Sequence, residues 1–198
     1  MIGKVALVFA LLGCAPGCAL DYLVGGNLGA GWFTAPSTEV KADGLRTSFL
    51  FLGDTWLDKG DWGVGLDVSS LLANHDGVNR WGLAETELVA LTSGVLMTGT
   101  TVKIKDFPAR VRIALGAGAV HSWDELSRGN SEYQQESWGL EFHLSGIWER
   151  ELGPHGLVRI RLAAVKSSTV EAPITGTALR SASDWSRLEF TMGWAWRS

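Results

Sequence analysis

The chain has 198 residues, enough for one domain, a net charge of −4 and 19% charged residues, below the ~25% usual for soluble domains. That balance excludes the basic footprint of a nucleic-acid binder and a polybasic membrane patch. Beyond the N-terminal segment no apolar run approaches the ~18 residues of a spanning helix, while 25 Gly, 10 Trp and period-two alternation point to β structure.

The N-terminus differs from the rest. Residues 1–4 supply a short positive region and residues 5–13 (VALVFALLG) an apolar core of signal-peptide length. Small residues at Gly17 and Ala19 place the expected cleavage after Ala19, so residues 1–19 read as a signal peptide and residues 20–198 as the mature domain. Both cysteines then leave with the signal. Alternatively, Leu11-Leu12-Gly13-Cys14 resembles a lipoprotein box with Cys14 lipidated. Either way the chain is expected to be exported.

Over residues 22–33, Tyr22, Val24, Leu28, Ala30 and Trp32 share one face, with Gly25, Asn27, Gly29 and Gly31 on the other. A polar stretch at 34–44 separates this strand from a second at 45–57. There Phe49 and Phe51 oppose Arg46, Ser48 and Asp54, although Leu50, Leu52 and Trp56 fall on the polar face. Asp58-Lys59-Gly60-Asp61 reads as a tight turn. The third strand, 62–72, sets Trp62, Val64, Leu66 and Val68 against Gly63, Gly65, Asp67 and Ser69, and a loop is expected at 73–79. Residues 80–105 are ambiguous: one strand near 95–105 after a long loop, or two strands about Thr92-Ser93-Gly94.

Alternation returns at 109–123, where Val111, Ile113, Leu115, Ala117 and Ala119 oppose Arg110, Arg112, Ala114, Gly116 and Gly118. Residues 124–135 read as a long hydrophilic loop. The strand at 136–150 sets Trp138, Leu140, Phe142, Leu144 and Trp148 against Glu141, His143, Ser145 and Glu149. That at 157–166 sets Val158, Ile160, Leu162 and Ala164 against Arg159 and Arg161. After a loop at 167–183 comes DWSRLEFTMGWAWRS, with Leu188, Phe190, Met192, Trp194 and Trp196 on one face and Arg187, Glu189, Thr191 and Gly193 on the other.

Loop length fixes the count. Outer-membrane barrels have short periplasmic turns, long outer loops and, in bacteria, an even strand number. Short turns near 58–61, 105–108 and 151–156 alternate with long loops only if 80–105 supplies one strand, which makes eight. Tryptophan placement agrees. Trp138 and Trp148 lie ~33 Å apart at ~3.3 Å per residue, which a ~40° tilt reduces to about 25 Å, the height of an outer-membrane apolar band. Trp32, Trp62, Trp123, Trp138, Trp148, Trp194 and Trp196 are therefore expected to form two interface girdles. Trp56 and Trp185 fit by depth but not by face, which predicts a bulge or register shift near each.

The polar face is rich in glycine and in charges of both signs, as a crowded lumen requires and a wet exterior does not. The expected lumen network is Arg46, Asp54, Asp67, Arg110, Arg112, Glu141, Glu149, Arg159, Arg161, Arg187 and Glu189. Taken together, the signal peptide, about eight amphipathic strands and an aromatic last strand (Phe190, Trp194, Trp196) resemble the small OmpA/OmpX-type outer-membrane barrels. The likeness spans residues 20–198 as architecture and rests on no sequence motif, and Arg197-Ser198 follow the last aromatic residue. It implies an all-β, eight-stranded antiparallel up-and-down transmembrane barrel in a Gram-negative outer membrane. Expected partners are outer-membrane lipid, lipopolysaccharide and the barrel-assembly machinery, with any surface partner left open.

Glu141-x-His143-x-Ser145 places acid, imidazole and hydroxyl on one strand face, the residue types of nucleophilic catalysis. Some small outer-membrane barrels are lipid A acyl hydrolases or acyl transferases, so a lipid-modifying enzyme is one alternative. Side chains two apart nevertheless stand ~7 Å apart at the backbone, and the arginine-rich face is hostile to an acyl chain. His121-Ser122 point to opposite faces, and His75-Asp76 lie in an expected loop. No cluster has metal-ligand spacing and the glycines follow strand period, so no metal or cofactor is expected. The leading expectation is a non-enzymatic barrel with a closed, charge-paired lumen and a structural or surface-interaction role. Passage of a small apolar ligand would need a wall gap or an apolar lumen.

Overall fold

The computed structural model describes residues 21–33, 46–78, 84–103, 105, 109–177, 180–182 and 184–197. Strands β1 (Asp21–Phe33), β2 (Arg46–Lys59), β3 (Trp62–Val78), β4 (Ala84–Lys103), β5 (Ala109–Arg128), β6 (Ser131–Glu151) and β7 (Gly156–Thr169) follow in order. A small ladder of β8 (Ala172–Pro173) and β9 (Arg180–Ser181) precedes the last strand, β10 (Asp184–Arg197). β10 pairs with β7 on one side and with β1 on the other, closing an eight-stranded antiparallel barrel. The signal peptide and the Cys14 alternative lie outside the described residues.

The alternation in the sequence decides how the sheet closes. Following backbone partners once round from Leu157 on β7, through Ala195, Gly25, Asp54, Asp67, Val95, Gly118 and Glu141, the path returns to β7 at Ser167, ten residues further along. Eight strands with such a stagger tilt by roughly 40° and enclose space that side chains can fill. Glycine permits the tight coiling. A Cβ on Gly118 would run into the Gly94 carbonyl of β4, and one on Gly193 into the Gly26 carbonyl of β1.

Residues 84–103 form one strand, as strand parity requires. Two expected loops are instead paired backbone. β3 continues to Val78, and residues 124–135 are the end of one hairpin, with only Gly129 and Asn130 between β5 and β6. Gly129 takes φ 60° there, and Gly60 takes φ 64° in the β2–β3 turn, values at which a Cβ would be strained. The pairing Asp124↔Gln135 through Arg128↔Ser131 is continuous, so polarity on both faces reflects water on both sides of a strand.

The expected irregularities at Trp56 and Trp185 are absent. The ladders run unbroken through Trp56↔Gly65 and Trp185↔Ser167, and both rings are fully buried inside the barrel. Each belongs to an apolar cluster in the lumen. Trp56 packs with Leu23, Val95, Met97, Ala114, Ile147, Leu157 and Ala195 toward the end with the short turns. Trp185 packs with Leu50, Leu71, Ala73, Val89, Leu91 and Val120 toward the end with the long hairpins. Inside is thus not simply polar.

Candidate functional site

The lumen-facing charges stand an even number of residues apart where they share a strand, and the stagger brings them together in two groups. The first lies near the short turns. Arg110 Nε is 2.5 Å from Glu149 Oε2, and Glu149 Oε1 is 3.0 Å from Arg159 Nε. Arg159 also donates to Asp54, which accepts from Trp56 Nε1 at 2.8 Å. Arg112 lies 4.1 Å from the Trp56 ring centroid and donates two bonds, of 2.7 and 2.6 Å, to Asp58. Three guanidiniums here meet three carboxylates, all buried.

The second group lies nearer the hairpin end. Arg161 Nη2 is 3.0 Å from Asp67 Oδ2 and donates to His143 Nδ1 at 2.9 Å. His143 Nε2 is 2.6 Å from Glu141 Oε1, whose second oxygen accepts from Ser167 Oγ at 2.6 Å and Arg187 Nη2 at 2.8 Å. Arg187 Nε reaches Glu189 at 2.7 Å. A guanidinium only donates, so His143 Nδ1 accepts and the ring proton sits on Nε2, directed at Glu141.

That arrangement bears on the catalytic candidates. Both ring nitrogens of His143 are engaged, one by Glu141 and one by Arg161, and Ser145 Oγ is buried with no hydrogen-bond partner. Glu141, His143 and Ser145 share a face as the spacing requires, yet no relay from imidazole to hydroxyl is assembled. What they do together is electrostatic: Glu141 joins His143, Ser167 and Arg187 across three strands.

Of the expected network, Asp54, Asp67, Arg110, Arg112, Glu141, Glu149, Arg159, Arg161, Arg187 and Glu189 are buried in the lumen and each has an ionic partner. Arg46 holds a lumen register position on β2, and its side chain lies outside the described residues. Asp58 joins the network from a position whose local sequence reads as a turn; the signal for it is its even spacing from Asp54 and Trp56. Ser167 joins from a stretch that reads as a loop, and its signal is that it continues the spacing of Arg159 and Arg161.

On the outward face the tryptophans fall in two bands. Trp138 is exposed and Trp32 and Trp123 partly so near the hairpin end, while Trp62, Trp194 and Trp196 are exposed and Trp148 partly so near the short turns. The His121 ring is 4.6 Å from Trp138 and its Nε2 is 2.8 Å from Glu136, whereas Ser122 turns inward to Ser137 at 2.7 Å. His155 stacks on Trp196 at 5.1 Å and 16°. His75's side chain lies outside the described residues.

One further lumen-facing acid stands beyond these bands. Asp124 is paired at the backbone with Gln135, three residues past Trp138, at a level where Glu125, Gln134 and Glu136 face outward. Burial first, and then the Glu87 carboxylate, push Asp124 up to about 7. Its Oδ1 has no hydrogen bond.

No protein-family model matches the chain, and no curated protein matches it by sequence. Solved structures do match by shape. The outer membrane protein OprG from Pseudomonas aeruginosa is 14% identical with a TM-score of 0.59, covering 91% of this chain and 97% of its own. Neisserial surface protein A is 10% identical with a TM-score of 0.54, over 88% and 96%. Outer membrane protein AlkL, solved in lipid bilayers, is 11% identical with a TM-score of 0.51, over 93% of each chain. The fold is that of the small eight-stranded barrels of OmpA/OmpX type.

Proposed function

We propose that this chain is a non-enzymatic outer-membrane barrel whose lumen is closed by paired charges and whose role is structural or lies in surface interaction. The observation that carries the reading is the division of β6. Leu140, Phe142 and Leu144 are 60%, 52% and 53% exposed, whereas Glu141, His143 and Ser145 are 0–2% exposed. In water such an exterior would be a large adhesive patch; in lipid it is the matched surface, and the lumen charges of the two groups are ion-paired with one another. The Trp bands supply interface anchors, and residues 1–19 the export signal such a location needs. Outer-membrane lipid, lipopolysaccharide and the assembly machinery are the partners this location entails. Surface contacts would fall on the part of β3–β6 that stands beyond Trp138, where both faces are polar.

Two measurements test this. Folded barrel in detergent should migrate differently on a gel when unboiled than when boiled, and the protein in planar bilayers should give no stable conductance. A single mobility with solubility in the absence of detergent would remove the membrane reading. Reproducible open states would remove the closed lumen.

A further inference from the structure

Between the levels of Trp138 and Trp148, the outward positions of the described strands carry Gly, Ala, Val, Leu, Ile, Phe, Met, Ser, Thr, Trp and one His; the single Lys, Arg, Asp or Glu among them is Lys166 on β7. It is exposed, and no carboxylate among the described residues pairs with it. A cation on such a wall needs an anion or water, and its stem can lie on apolar surface while the head rises. Its cross-strand partner Phe142 is four residues inside Trp138 on β6, roughly 10 Å of depth at ~3.3 Å per residue and ~40° tilt. The stagger lifts β7 outward relative to β6, which shortens that distance.

Beneath Lys166 the wall is dented. Leu115, Leu144, Ala164 and Leu188 form one row of backbone partners across β5, β6, β7 and β10, and Ala117, Phe142, Lys166 and Ser186 form the next row outward. Ala164 is the one small side chain of the first row, and Ala117 and Ser186 are those of the second; between their larger neighbours opens a groove of about 570 Å³ lined by Leu115, Phe142, Leu144, Ala164, Leu188 and Lys166. A second dent of about 430 Å³, at Leu96, Thr98, Leu115 and Ala117, continues it over β4.

We propose that this groove binds one lipid of net negative charge from the leaflet nearer the hairpin end, an acyl chain lying in the dent and the anionic phosphate headgroup, not neutralised by a cation of its own, pairing with Lys166. Charge complementarity selects the occupant. A neutral apolar chain would fill the groove but leave the ammonium without a counter-charge, and free phosphate would satisfy Lys166 but leave the groove unfilled. The site rests on the membrane reading above, and its ligand is held outside the barrel wall rather than in the lumen.

The test uses the folded full chain in a neutral detergent, titrated separately with phosphatidylglycerol, phosphatidylcholine and inorganic phosphate, with bound lipid counted by native mass spectrometry. Retention of one phosphatidylglycerol is expected, at least fivefold weaker retention of phosphatidylcholine, and no competition from inorganic phosphate at the same concentration. Lys166→Gln should weaken phosphatidylglycerol at least fivefold and abolish its advantage over phosphatidylcholine. Ala164→Phe, which fills the dent and keeps the charge, should weaken both lipids. Equal retention by wild type and both variants would overturn the site, and so would loss in Lys166→Gln with none in Ala164→Phe. The boiled and unboiled gel comparison on each sample separates the two readings: a preserved shift with no selective lipid retention sinks the groove alone, and no shift in wild type sinks the membrane reading beneath it.

Discussion

The two faces of β6 obey the same period and meet opposite demands. Outward, Leu140, Phe142 and Leu144 stand more than half exposed, with none of the described residues covering them; inward, Glu141 bonds to His143, Ser167 and Arg187, with His143 bonded in turn to Arg161. An exposed leucine needs no partner where the solvent is lipid, whereas a buried carboxylate without one costs several kcal/mol. The ordinary rule of apolar inside and polar outside is reversed here. It is enforced by pairing inside, not by hydration outside.

The largest effect should come from breaking that pairing. Arg159 is shared by Asp54 and Glu149, so Arg159→Leu leaves two buried carboxylates short of a cation and should cost about 3–5 kcal/mol in urea unfolding from detergent or bilayers. Adding Asp54→Asn should restore part of the loss; no restoration would mean that the pair does not act as a unit. On the other face, Leu162→Arg puts a charge at mid-wall and should cost ~2–4 kcal/mol in a bilayer. A neutral result there would break the comparison, since a water-facing exterior accepts arginine freely.

A third effect lies past Trp138, at the outer end of β5. Asp124 is pushed up to about 7 from an ordinary 3.8, so the folded chain keeps a proton that the unfolded chain has already released. Stability should therefore fall as pH rises from about 4 to about 7 and level off above, and Asp124→Asn should remove that component of the slope. A slope unchanged in the variant would assign it to other groups. The smallest effect is Ser145→Ala. With no partner for its Oγ, the change should stay within about 0.5 kcal/mol and leave the lipid profile of expressing cells unchanged. Altered lipid A in those cells would revive the hydrolase alternative.

How much of this is legible in sequence depends on what each face meets. Strands β5, β6, β7 and β10 read clearly because one face is apolar and exposed while the other carries charge or glycine. β4 does not: Val89, Leu91, Val95 and Met97 point into the lumen clusters while Leu96 points outward, so both faces are apolar and the period is lost. Leu50, Leu52 and Trp56 blur β2 for the same reason. Beyond Trp138 the ambiguity is the opposite one, since a strand wet on both faces has the composition of a loop. The ion pairs are a third case. Alternation shows which charges share the lumen, but Arg159 meets Asp54 across 105 residues only because of the barrel stagger, which no local pattern carries.

The direct test is to place single cysteines at Leu140, Glu141, Phe142, His143, Leu144 and Ser145 in a chain otherwise free of cysteine, attach a nitroxide to each, and measure collision with oxygen and with a water-soluble nickel chelate in bilayers. Even positions should collide strongly with oxygen and weakly with the chelate, and odd positions weakly with both. If the even positions instead meet the chelate as freely as they meet oxygen, the apolar face is in water and the barrel does not sit in a membrane.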